Sequence, residues 1–157
     1  MIATIFLAPL LLASILLAWI DLRCGIIPDW LNLGVAAIGL ARAAFLGGWE
    51  ATLDAGCEGI AVGAIVWLLR RLYFSVRKLQ GLGLGDVKLL AASGIWIGLT
   101  GVPIQLLVGS LAALVAAGGL HLSGWTMTRQ TSLPFGPFLA LGLLATLTLQ
   151  QGGLLPD

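Results

Sequence analysis

The run IATIFLAPLLLASILLAWI, residues 2–20, decides the class of fold. It carries no charge and matches the roughly 17 to 25 mostly apolar residues that a transmembrane helix requires. A secretory signal would need a basic segment before it and a small-residue cleavage pattern after it. Neither is present, so the run reads as a retained span. The rest of the 157-residue chain repeats the message, with 59% hydrophobic and 10% charged residues, where soluble domains carry about 25% charged. A water-soluble globule is excluded. The net charge of +1 supplies no general basic field for nucleic acid.

Working outward from the first run, the fifteen charged residues collect in short stretches between long apolar ones. The pattern predicts an all-α, polytopic membrane protein of about six transmembrane helices. The spans fall near residues 2–20, 30–46, 56–72, 87–102, 104–122 and 134–150. The fourth is short and only Pro103 separates it from the fifth, which leaves open a tight helical hairpin or a partly sunken helix. Residues 1–157 read as one membrane-embedded unit, without repeat or linker. The 22 glycines suit membrane helices whose backbones approach closely. Cys24 and Cys57 form no Cys-x-x-Cys pair and provide no zinc site. They fall near opposite faces and are expected to stay unbridged.

Direction follows from the basic residues, which concentrate on the cytoplasmic side of membrane proteins. Six spans starting outside place Arg23, Arg70, Arg71, Arg77, Lys78, Lys88 and Arg129 inside and only Arg42 near the outer face. The loop expected around Gly47 to Ala55 carries Glu50 and Asp54 and no base, and Glu58 also falls on or near the outer side. Trp30, Trp49 and Trp125 suit an interfacial aromatic belt. The cluster of Arg70, Arg71, Tyr73, Phe74, Arg77 and Lys78 suits contact with anionic lipid, with shaping of a substrate's access route as the other reading. His121, near the inner end of the fifth span, reads as an interfacial residue.

The acids are more informative. Asp21 ends the first span and Asp86 begins the fourth, and the two complete spans between them return the chain to the same face. Two carboxylates in reach of each other cannot both ionise easily and share a proton. One then serves as base toward a water attacking a peptide carbonyl, and the other as acid toward the oxyanion or leaving amine. No cofactor is needed. The ordinary reading of Asp86 is a helix N-cap, for which Asp is a preferred residue. Capping does not explain Asp21, because a helix C-terminus disfavours a carboxylate. Solvation at the interface beside Arg23 remains open for it. Asp29, after Pro28, suits capping or first-turn chemistry. Lys88 either tunes the charge of Asp86 or reaches to the cytoplasmic surface. The glycines of Gly81-Leu82-Gly83-Leu84-Gly85-Asp86 do not form a nucleotide-loop pattern; they suit unusual backbone angles and close approach of a substrate backbone.

Three segments then resemble the type IV prepilin peptidases, membrane aspartic proteases of the Gly-x-Gly-Asp class. The first is Ile20-Asp21 with Ile27-Pro28-Asp29, the second Gly83-Leu84-Gly85-Asp86-Val87-Lys88-Leu89-Leu90, and the third Pro134-Phe135-Gly136-Pro137-Phe138-Leu139-Ala140. The resemblance covers most of the chain. It implies that Asp21 and Asp86 are the catalytic pair, with Gly83, Gly85, Lys88, Pro28, Pro134 and Gly136 supporting the motifs. It implies a prepilin or pseudopilin substrate with a basic leader ending in glycine, whose removal leaves an apolar helix ready for assembly. It also implies a prokaryotic inner-membrane location, with membrane lipids around the helices and the site facing the cytoplasm. Longer bacterial members carry a preceding domain with paired Cys-x-x-Cys motifs and methylate the new N-terminus. Nothing in these 157 residues corresponds to that domain, so a short, peptidase-only form is expected. Two rival functions stand beside this one. The first is a proton- or cation-coupled transporter component, which should hold its acids near mid-membrane. The second is an inactive pilus-assembly protein on the same scaffold.

Overall fold

A computed structural model describes residues 2–77, 82–122 and 134–155, and every described element in it is a helix. The four helices are α1 (Ile2–Cys24), α2 (Asp29–Arg77), α3 (Leu84–Leu122) and α4 (Gly136–Gln151). Three of them are long and apolar enough to cross a membrane. The surface agrees with that reading, since Trp19, Leu33, Phe45, Ile60 and Val115 all lie exposed. An apolar exterior on this scale marks a surface that meets something other than water. Lys78, Gly81, Trp125 and Arg129, and the side chain of His121, lie outside the described residues.

Neither long helix is continuous. Gly48 has φ 74° and ψ −158° within α2, and Gly98 has φ 70° and ψ 175° within α3. Only glycine takes such dihedrals without severe strain. Contacts show that the chain turns back at both places. Gly39 and Gly59 both pack against the Ile95 side chain, although twenty residues of straight helix would hold them about 30 Å apart. Gln105 Nε2 donates to Ser93 Oγ at 2.9 Å, across twelve residues that a straight helix would spread over about 18 Å. Each long helix is therefore an antiparallel hairpin with almost no loop.

This corrects two expectations. The segment Gly47–Ala55 is not an open loop, because residues on both sides of Gly48 stay helical and one glycine makes the reversal. The break near Pro103 falls instead at Gly98. Proline holds φ near −65° and cannot adopt the positive angle that the reversal needs. Pro103 sits inside the second half of α3, five residues past Gly98, and the helix continues through it. The first half of α3, residues 84–97, is about 21 Å long. That is shorter than a hydrocarbon core of roughly 30 Å. The Glu58 carboxylate lies against Gly98, at the opening of the second half, where the positive helix end favours an anion.

The core lies where α3 meets both neighbours. Leu89, Leu90, Ile97, Val62, Leu139 and Leu143 are almost fully buried within it. Small residues set the spacing. At Gly59 an added Cβ would lie 2.5 Å from Ile95 Cγ1 and 3.0 Å from the Ala91 carbonyl oxygen. Polar links reinforce the other side, where Gln105 Nε2 also donates to the Leu139 carbonyl at 3.0 Å and Gln150 Nε2 to the Ile97 carbonyl at 3.0 Å. These bonds lock α4 onto the α3 hairpin and so fix where α4 begins. Cys24 and Cys57 are exposed and unbridged.

Candidate active site

One end of the bundle collects the end of α1 and the starts of α2, α3 and α4. Helix α1 runs to Cys24, four residues beyond the expected span, so Asp21 lies inside its last turn rather than after it. Gly25, at φ 64°, closes the helix by donating its N–H to the Asp21 carbonyl at 2.8 Å. This is the left-handed glycine cap that commonly ends helices.

Asp21 is only 5% exposed. Its Oδ2 accepts the backbone N–H of Gly136 at 2.9 Å. Gly136 opens α4, with Phe135 before it and Pro137 after it. The first N–H groups of a helix have no intrahelical partner and carry its positive end. The start of α4 thereby supplies what the end of α1 denies the carboxylate. Glycine is required here because a Cβ would stand 2.6 Å from Asp21 Oδ2.

Asp86 is the third residue of α3, so the expectation of an N-cap is corrected. The helix begins two residues earlier, and Asp86 Oδ2 reaches back to accept the N–H of Gly83 at 3.3 Å. That is the acidic half of a capping-box arrangement. The capping chemistry is present at the third position rather than at the cap. Asp21 and Asp86 are close enough for their charges to act on each other. Ile27, from the connection between α1 and α2, is wedged between the other two motifs. A Cβ on Gly85 would meet Ile27 Cβ at 2.9 Å, and one on Gly136 would meet its Cδ1 at 3.2 Å.

The remaining residues singled out from the sequence stand around this centre. The Pro28 carbonyl accepts the N–H groups of Leu31 and Asn32 at the start of α2. Pro134 directly precedes the first turn of α4. Lys88 Nζ binds Asp29 Oδ1 at 2.7 Å, with both side chains well exposed. Lys88 is therefore tied to Asp29, and the Asp29 side chain acts as an ion-pair partner. Glu58 lies at the reversal of α3 beside Gly98, the opposite end of that helix's first half from Asp86. Sequence reasoning missed two braces. One is Ile27, whose only signal was its place beside Pro28. The other is Arg70, whose Nε donates to the Leu82 carbonyl at 2.8 Å and steadies the turn bearing Gly83. The neighbouring Arg71 stacks over Trp67 at 5.3 Å, and Arg23 over Trp19 at 4.6 Å.

Fold and site together define a helical membrane protein that gathers two acidic side chains, each bound to a backbone N–H, at one end of its bundle. Residues 8–118 match the type IV leader peptidase family. The chain belongs to that family. It is 40% identical over 138 residues to a prepilin leader peptidase/N-methyltransferase of Burkholderia pseudomallei, covering 86% of this chain and 43% of that protein. A protein of the same description from Xanthomonas campestris is 35% identical over 125 residues, with 78% and 42% covered. A type 4 prepilin-like proteins leader peptide-processing enzyme of Escherichia coli O78:H11 is 37% identical over 147 residues, with 89% and 52% covered. The chain thus spans about half the length of the curated relatives it matches. No solved structure matches it at a significant level.

Proposed function

We propose that this protein is an aspartic endopeptidase that removes leader peptides from type IV prepilins or type II secretion pseudopilins, with Asp21 and Asp86 as the catalytic pair. The carrying observation is the arrival of these two carboxylates, 65 positions apart in the sequence, at one end of the bundle with a backbone N–H on each. In the reaction, one carboxylate accepts a proton from water as the water oxygen bonds to the scissile carbonyl carbon. The other carboxyl group donates its proton as the carbon–nitrogen bond breaks. The products are the leader's new carboxyl terminus and the substrate's new amino terminus. The pair titrates as a unit. Asp21 and Asp86 lie at the end of one helix and in the first turn of another, which favours peptide chemistry at an interface over conduction through mid-membrane.

In this reading the helices sit in a prokaryotic inner membrane as six alternating segments with the site at the cytoplasmic face, where Arg23, Arg70, Arg71, Arg77 and Lys88 gather. The short first half of α3 implies locally thinned lipid around Gly98. Labelling of Cys24 by an impermeant thiol reagent should occur from the cytoplasmic side alone. Labelling from the outer side alone would reverse the topology.

The decisive experiment incubates the purified protein, in lipid, with candidate prepilins and follows leader release. Asp21→Asn and Asp86→Asn should each abolish cleavage at matched membrane abundance. Asparagine keeps the size and can still accept the Gly136 or Gly83 N–H, but it cannot take part in the proton transfers. Near-normal cleavage by either variant would remove that residue from the catalytic pair.

A further inference from the structure

Between the two halves of α2, floored by the first half of α3, runs an open apolar groove of about 570 Å³. Its far wall is a strip of small residues, Gly56, Gly59 and Gly63, and its floor includes Ala91 and Ala92. Small residues of this kind let another helix approach to backbone distance. At the site end the groove stops at the Asp29–Lys88 ion pair. From Asp29 to Leu40 it follows eleven residues of α2, about 16 Å.

Asn32 lines this groove one turn beyond Asp29. It is 5% exposed, and neither its Nδ2 nor its Oδ1 has a hydrogen-bond partner. A carboxamide can donate two hydrogen bonds and accept two. An orphaned buried group of this kind is costly and demands an explanation. A leucine has the same branching at Cγ and would carry no such cost.

The chemistry of the orphan selects the occupant. A lipid acyl chain has no donor or acceptor and would leave Asn32 unpaired. A polypeptide helix entering the groove brings free amides only at its ends, where the first N–H groups have no intrahelical partner. A segment unwound just before that helix also frees carbonyl oxygens. Asn32 stands near the catalytic end of the groove, five residues after the Ile27 wedge, and so lies level with such a junction.

We propose that the groove receives an apolar helix of the polypeptide substrate and that Asn32 binds the backbone amides where this helix begins, aligning the unwound segment before it with the catalytic end. This inference rests on the peptidase reading above. Asn32 is a positioning and specificity residue in this scheme, holding substrate without touching the reacting atoms.

The test uses the full chain in lipid nanodiscs and, as probe, a prepilin fragment comprising the leader and the apolar segment that follows. Asn32→Leu should raise KM for cleavage at least about tenfold, the equivalent of about 1.4 kcal/mol, with a melting temperature equal to or above the parent's. An unchanged KM would overturn the assignment, because a merely structural asparagine replaced by leucine leaves substrate affinity alone. The second measurement does not depend on turnover. A photoreactive residue replacing Ile60, on the groove wall, is placed in an Asp21→Asn, Asp86→Asn background. Crosslinking to the probe's apolar segment, weakened by Asn32→Leu, supports the groove. Crosslinking only to lipid or to a second copy of the chain refutes it. A parent protein that cleaves no prepilin brings down the peptidase reading, and this inference with it. Cleavage by the parent with KM unaffected by Asn32→Leu brings down the groove alone.

Discussion

Replacing Gly136 by alanine tests whether the start of α4 positions the Asp21 carboxylate for its proposed catalytic role. Ordinary contact begins at 3.4 Å and the new Cβ would stand 2.6 Å from Asp21 Oδ2, so that oxygen must retreat by the difference, about 0.8 Å. The Asp21 Cγ at 3.0 Å and Ile27 Cδ1 at 3.2 Å crowd the same Cβ. The movement cannot be absorbed by turning one flexible tip. A retreat along the bond stretches the 2.9 Å contact from the Gly136 N–H beyond the usual 2.7 to 3.2 Å range. Hydrogen bonds to a charged group are worth about 1.5 to 3 kcal/mol. Misplacing a reacting group by about 1 Å can cost on the order of 100-fold in rate. Gly136→Ala should therefore lower kcat for prepilin cleavage by about two orders of magnitude. Alanine favours helices over glycine, which offsets part of any loss of stability. The assay is single-turnover leader release in lipid at matched abundance, beside a thermal melt. Gly34→Ala serves as control, since no atom lies within 4 Å of a Cβ added there. A Gly136→Ala rate within a few-fold of the parent's would refute the positioning argument.

Gly98→Ala should lower stability by about 1 to 3 kcal/mol, the cost of forcing a side chain into this backbone region, and crowd the Glu58 carboxylate as well. A denaturant or thermal melt in detergent checks it, and unaltered stability would contradict the single-glycine reversal. Asp29→Asn should retain substantial cleavage and change stability by less than about 1 kcal/mol, because exposed ion pairs contribute little and the Lys88 partner is half-exposed. Parallel activity and melting measurements check it, and complete loss of cleavage in a folded variant would assign Asp29 a role beyond the ion pair.

Much of this protein is legible in its sequence because hydropathy is a local property. The uncharged run at residues 2–20 requires a helix in lipid, where every backbone polar group must be satisfied within the segment or by a partner. Counting apolar runs between Asp21 and Asp86 brings both to one face, a consequence of chain direction that needs no side-chain detail. Partner choice is not local. Nothing near Asp21 announces that an N–H 115 positions later will hold it, or that Lys88, two residues from Asp86, will bind Asp29 instead. The reversals were hidden for a related reason. Nothing in the sequence sets Gly48 and Gly98 apart from the other glycines, and their positive φ, shared among the described residues with Gly25 and Gly153, is set by packing, whereas Pro103 looks like the stronger break. Asn32 resembles any polar residue near a span end until three helix segments close around it and leave its amide without a partner. Apolar patterning determines which segments become helices, because transfer into lipid is summed along each segment. Only the packed tertiary structure decides which helix ends meet, because those contacts depend on surfaces far apart in the chain.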